Sequence, residues 1–143
     1  MSNTQFAFIS RAKVPSQAAL QASIDALGFN LKVDPELRLL TDSGFSPCVL
    51  NGISDVGFEL LSGPTSDLFV EAPHFAGLSQ GLDFCIQMIW HGSFKDCAAA
   101  MIVACALATD FGALVSYEGN PPDSAQDILK EIPAALKEAL RES

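Results

Sequence analysis

Leu82-Asp83-Phe84-Cys85-Ile86-Gln87-Met88-Ile89-Trp90 alternates along its whole length. Leu82, Phe84, Ile86, Met88 and Trp90 fall on one side. Asp83, Cys85, Gln87 and Ile89 fall on the other, continued by His91. A period of two is the signature of a β-strand. The first side is wholly apolar and is expected to pack on helices. The second is mixed and is expected to face solvent or a partner. A His91-Gly92-Ser93 turn follows, and then Phe94–Thr109, Ala-rich and almost entirely apolar after Asp96. A helix apolar all round is a buried one. Ser93, with Asp96 three residues on, predicts a shortened capping box at its start.

Upstream of this strand, Gln5–Ser10 predicts a first strand. A helix opened by Pro15-Ser16 follows, with Ala19, Leu20, Ser23, Ile24 and Leu27 on one face and Gly28 as its stop. Phe29, Leu31 and Val33 alternate with Asn30 and Lys32 as a strand. Leu37–Thr41, Cys48–Leu50 and Gly57–Leu61 predict three more, separated by turn signals at Asp42-Ser43-Gly44 and Asn51-Gly52. Ser62–Gly81 predicts an irregular region in which Ser66–Val70 forms at most a helical turn or a short strand. Downstream, Ala113–Tyr117 predicts the last strand and Glu118–Asp123 a loop. Asp123 or Ser124 is expected to cap a final helix that Pro133 breaks near Ile132, with a second piece reaching Leu140.

The element order β-α-β-β-β-β-β-α-β-α predicts an α+β fold. It is a single domain over residues 1–143, with a mainly antiparallel or mixed sheet of about five to seven strands and helices packed mainly on one face. A chain of 143 residues, 49% hydrophobic, is long enough to bury a core without metal or disulfide staples. Its longest apolar stretch, Ala98–Ala108, is far shorter than a membrane span. The opening residues lack the basic leader and long apolar run of a secretory signal, so a cytoplasmic location is expected.

Charge is the most informative quantity. Seventeen acids against eight bases give −9. Between Arg38 and Lys130 stand eleven acids and one base, Lys95. A negative field of that kind disfavours nucleic acid and anionic membrane and steers basic partners to the surface.

No catalytic pattern stands out. Phosphate-cradling glycine spacings are absent. His74 and His91 are seventeen residues apart, without helical ligand spacing. Cys48, Cys85, Cys97 and Cys105 form no two-residue pair, and their apolar neighbours predict buried, reduced thiols. Cys85 and His91 share a strand face but lie too far apart to cooperate as a nucleophile and base. Asp55 with Glu59 and Asp67 with Glu71 have four-residue spacing outside any strong helical pattern, which is no carboxylate site. No metal and no cofactor are therefore expected, and the chain reads as a binder more than an enzyme.

From Gly57-Phe58-Glu59-Leu60-Leu61 the chain runs through the strand ending at Trp90 into the Ala-rich helix. Leu107-Ala108, Phe111-Gly112-Ala113-Leu114-Val115, an acidic Gly/Pro loop and a closing helix complete it. Over about Gly57–Ala139 this arrangement resembles small immunity proteins encoded beside bacterial polymorphic toxins, of type VI secretion or contact-dependent systems. The resemblance implies a cytoplasmic inhibitor that binds a cognate, basic toxin effector domain and occludes its active site. It carries no site residues with it. On charge and face alone the expected partner-binding residues are Glu59, Asp83, Gln87 and His91 on the open sheet side, with Asp55, Asp67 and Glu71 on adjoining loops. A small enzyme or ligand-binding domain with a pocket near residues 62–81 is the alternative, and a homo-oligomeric adaptor using Trp90 a third. Sequence leaves the oligomeric state open.

Overall fold

The computed structural model describes residues 2–142. Six strands make one antiparallel sheet: β1 (Asn3–Ile9), β2 (Leu31–Val33), β3 (Ser43–Leu50), β4 (Ile53–Pro64), β5 (Phe84–Trp90) and β6 (Leu114–Tyr117), in the spatial order β2-β3-β4-β5-β1-β6. Five α-helices accompany it: α1 (Gln17–Ala26), α2 (Thr65–Glu71), α3 (Phe75–Ser79), α4 (Phe94–Asp110) and α5 (Ala125–Glu142). The fold is α+β, as expected.

One face of the sheet is sealed by helices. Phe84, Ile86, Met88 and Trp90 of β5 join Val56, Phe58 and Leu60 of β4 and Ala7 and Ile9 of β1 in one buried cluster with α4. Helix α4 is buried from Ala98 to Ala100 and from Ile102 to Leu107. Its alanines let the helix sit close to the strands. Helix α5 covers α4 with Ile128, Ile132, Ala135 and Ala139, a three-four spacing that gives one apolar stripe. Helix α1 adds Leu20 and Ile24 to the same cluster. Its Gln21 also secures the edge strand β2: Nε2 donates to the Leu31 carbonyl at 2.8 Å, and Oε1 accepts the Val33 N–H at 2.9 Å. Edge backbone groups that would otherwise invite another chain are thereby occupied.

Several expectations are corrected. Leu37–Thr41 is a turn segment, although Leu37 and Leu39 are buried beneath it. Asp42-Ser43-Gly44 is no turn between strands, because β3 already begins at Ser43 and runs unbroken to Leu50. The Asn51-Gly52 turn is present, with φ of 50° and 83°, the left-handed pair that a two-residue hairpin requires. Residues 62–81 are more ordered than expected, since they finish β4 and then form α2 and α3. The expected break at Pro133 does not occur, and α5 runs through it. Pro133 lies on the exposed side, where water can hydrate the freed carbonyl, while packing on α4 holds the helix on both sides of it.

The start of α4 is also capped differently from the expectation. Ser93 makes no cap hydrogen bond to the helix backbone. Instead the Glu142 carboxylate, at the far end of α5, accepts from the N–H groups of Phe94 at 2.9 Å and Lys95 at 3.1 Å, and from Ser93 Oγ at 3.2 Å. Those bonds hold its carboxyl below the usual carboxylate range. Asp96 points elsewhere and accepts the Gly57 N–H at 3.0 Å. Among the described residues no helix is long and apolar enough to cross a membrane.

Candidate functional site

The face of the sheet away from α4 is covered over only part of its width. Phe6 and Phe8 of β1 and Cys85 of β5 are buried beneath Phe75, with Leu68, Phe69, Ala72 and Leu78 of the α2–α3 region packed around them. The Phe6 and Phe75 rings lie 4.7 Å apart. Thr65 locks this cover in place. Its Oγ1 donates to the Leu82 carbonyl and its N–H to the Asp83 carbonyl, both at 3.0 Å. Over β3 and β4 the same face is open, and Phe45 is 65% and Leu61 50% exposed.

Strand register arranges the open part in rows. Ser43, Leu61 and Gln87 lie opposite one another across β3, β4 and β5. In the next row Phe45, Glu59 and Ile89 do so. The Phe45 ring rests on Gly57 of β4: a Cβ there would lie 2.6 Å from Phe45 Cζ and would also collide with the Ser46 carbonyl oxygen. Glycine is what lets an aromatic side chain lie flat on the strand at this point.

Two shallow cavities flank the rows. One, of about 200 Å³, lies where β5 turns toward α4 and includes Phe45, Glu59, Ile89 and His91 in its wall. Here His91 Nε2 is 3.9 Å from Glu59 Oε1, an exposed and loose pairing that leaves both side chains free to engage something else. The other, of about 220 Å³, lies between β4, β5 and α2 and is lined by Leu61, Ser62, Asp67, Glu71 and Gln87 among others. Ser62 alternates with Leu61 and pairs with Ile86, so its side chain faces the helix-covered side, where the hydroxyl is buried without a partner.

Of the residues selected from sequence, Glu59, Gln87 and His91 share the open face, and Asp67 and Glu71 border it from α2. Those two belong to a helix and not to a loop, which places them one turn apart on its groove side. Two others are not part of the group. Asp83 precedes β5 at the end opposite His91, and its Oδ1 accepts the Arg11 N–H at 2.8 Å. Asp55 is a residue of β4, not of a loop, and its carboxylate holds Lys95 at 2.9 Å. That lysine keeps the Asp55 carboxyl below its ordinary range, and Asp55 in turn raises Lys95. Around Asp55 the pairing of β3 with β4 slips by one residue between Cys48–Val56 and Leu50–Ile53.

Sequence reading placed Ile89 on this face but missed its other apolar members, Phe45 and Leu61. A signal was present: Phe45, Pro47 and Val49 alternate with Ser46, Cys48 and Leu50. The Ser43-Gly44 pair, read as a turn, concealed that strand.

All four cysteines are free. Burial pushes the Cys85 and Cys48 thiols up to about 12 and Cys97 to about 11, and raises Cys105, so each is held as the thiol at neutral pH. Among the described residues no three histidine, cysteine or acidic side chains gather as a metal site. Compared with protein-family models, with curated proteins and with solved structures, the chain matches none.

Proposed function

We propose that the chain is an acidic cytoplasmic immunity protein. In this reading it binds a cognate toxin domain of basic character through the open half of the far sheet face and occludes that domain's active site. The observation that carries it is the pairing of exposed Phe45 and Leu61 on rigid central strands with acids on the surrounding elements, Glu59 on β4 and Asp67 and Glu71 on α2. Aromatic and aliphatic anchors supply the area that a partner buries, and acids at the border steer a basic partner in. The chain-wide charge of −9 acts in the same direction. No catalytic step is assigned to the protein. The resemblance over about Gly57–Ala139 is what narrows a basic protein partner to a toxin.

The test has two arms. Co-expression with the toxin domain encoded beside the gene is expected to restore growth, and the two purified proteins are expected to form a stoichiometric complex by calorimetry. Neither rescue nor complex would sink the reading. Replacing Glu59, Asp67 and Glu71 together by lysine is expected to slow association and to flatten its salt dependence. An unchanged association rate would remove this surface from the interface. Asp55 and Asp83 serve as controls, since their carboxylates are occupied within the fold.

The cavity between β4, β5 and α2 favours one second reading, a small-ligand pocket. Native mass spectrometry of freshly purified protein is then expected to show a bound metabolite. A bare chain would exclude it.

A further inference from the structure

A further hollow lies not on the open sheet face but behind it. A cavity of about 310 Å³ lies on the helix side, walled by β1, β5 and β6, by α4 and by α5. Its floor contains Trp90 and Gln5, which are only 4% exposed. The rings of Trp90 and Tyr117 stand 6.1 Å apart at 36° and form two adjoining aromatic walls. Tyr117 is held from outside the cavity, its hydroxyl donating to Asn3 Oδ1 at 2.9 Å. Asp123 and Glu131 supply carboxylates at the rim, and no lysine or arginine is among the described residues that line it. The negative field of Glu131 extends to the floor, where it adds to the upward push that burial gives the Cys97 thiol.

Gln5 is the residue that the fold does not explain. It sits mid-strand in β1 among apolar neighbours, and its Nε2 is buried with no hydrogen-bond partner. A buried amide donor left unpaired is destabilising, and an apolar side chain of similar size would avoid that cost. Rotation about χ3 can bring either amide atom to the cavity. A ligand there is offered an N–H donor at depth, two aromatic surfaces beside it and two anions at the mouth.

We propose that this cavity binds a small organic ammonium compound that also bears a hydroxyl or carbonyl oxygen, an amino alcohol or its quaternary analogue. The cationic nitrogen lies against Trp90 and Tyr117 under the carboxylates of Asp123 and Glu131, in the manner of an aromatic cage. The oxygen accepts from Gln5 Nε2. An anionic ligand would meet two carboxylates and no cation, and a purely apolar one would leave Gln5 unsatisfied. The site is on the other side of the sheet from the proposed toxin interface, and neither reading depends on the other.

Trp90 is the only tryptophan and so reports on this cavity directly. Its fluorescence is followed while the protein is titrated with choline and, separately, with ethanolamine. The neutral carbon analogue of choline, 3,3-dimethyl-1-butanol, is the control, and calorimetry gives the affinities. The expected result is a saturable change with at least one of the two ammonium probes and none with the neutral analogue. Glu131→Gln and Gln5→Leu are each expected to weaken binding about tenfold or more, the scale of one hydrogen bond to a charged or buried group. Gln5→Leu removes an unpaired donor and is expected to fold at least as well as the parent protein, which a thermal melt checks. No saturable response to either ammonium probe overturns the proposal. So does an equal response to the neutral alcohol, or full affinity in Gln5→Leu.

Discussion

Phe58 and Phe45 stand one row apart on paired strands, yet one is 2% exposed and the other 65%. Phe58 points into the layer sealed by α4. Phe45 points to the half of the opposite face that α2 and α3 do not reach. The same side chain thus serves as core on one side of a strand pair and as surface on the other. What separates them is coverage, which depends on where helices lie and not on the residue itself. Large exposed aromatics on rigid strands are uncommon without a purpose, because apolar surface that gathers in one place tends to find a partner.

The comparison is broken most severely by removing the buried member. Phe58→Ala is expected to cost about 3–5 kcal/mol, since the cavity left under α4 cannot collapse around a helix already packed against the strands. Urea denaturation measures it. A loss below about 1 kcal/mol would mean that the helix face is not the tightly packed layer described. Next in size is Gly57→Ala, expected to cost about 1–3 kcal/mol by overpacking. The new Cβ has no room beside the Ser46 carbonyl, and the Phe45 ring must lift from its seat. If Gly57→Ala is neutral, Phe45 does not rest on β4 and its high exposure is only the mobility of an unsupported ring.

These two positions also show which parts of the fold are legible in the sequence. Phe58 belongs to the Gly57–Leu61 strand, and its burial follows from alternation as directly as that of Ile86 or Met88. The Leu82–Trp90 strand and the Ala-rich helix are local patterns, each strong enough to withstand its surroundings, and together they give the α+β class. Phe45 was hidden because Ser43 and Gly44 have turn chemistry, while the pairing of Ser43 with Leu61 and of Gly44 with Leu60 is a tertiary fact. Leu37 and Leu39 show the reverse error. Their apolar pattern is that of a strand, but the segment's hydrogen bonds are local, as from the Leu37 N–H to the Asp34 carbonyl, and they are buried in a turn. The candidate site was half legible for the same reason. Acids and the β5 face could be placed by counting, but Asp83 and Asp55 were lost to Arg11 and Lys95, partners 72 and 40 residues away.

Glu142 sharpens the comparison from the helix side, because it ties the two ends of the covering layer together. Its carboxyl is held below the ordinary range, first by the Phe94 N–H and also by the Lys95 N–H and the Ser93 hydroxyl. A carboxylate depressed in the folded state contributes stability that is present above its unfolded value and is lost as pH falls through the folded one. Glu142→Gln is therefore expected to cost at most about 1 kcal/mol near neutral pH, given the exposure of the group. Its urea midpoint is expected to converge on that of the parent protein in acid. A difference that persists unchanged at low pH would show that the charge does not contribute to the cap.

The smallest change in stability is expected at the exposed member of the pair, and for that reason it is the most telling. Phe45→Ser removes a ring that is two-thirds exposed and is predicted to alter unfolding by no more than about 0.5 kcal/mol, the range of surface substitutions. Combined with Leu61→Ser it leaves the helix-covered core intact, because neither side chain belongs to that buried cluster. If the open half is a docking surface, the double variant keeps its melt and loses affinity for the toxin domain by about tenfold or more, as a central aromatic anchor would. A toxin complex of full affinity would assign these side chains no role in binding. A double variant that unfolds would show that Phe45 and Leu61 support the sheet after all, and the contrast with Phe58 would then be one of exposure alone.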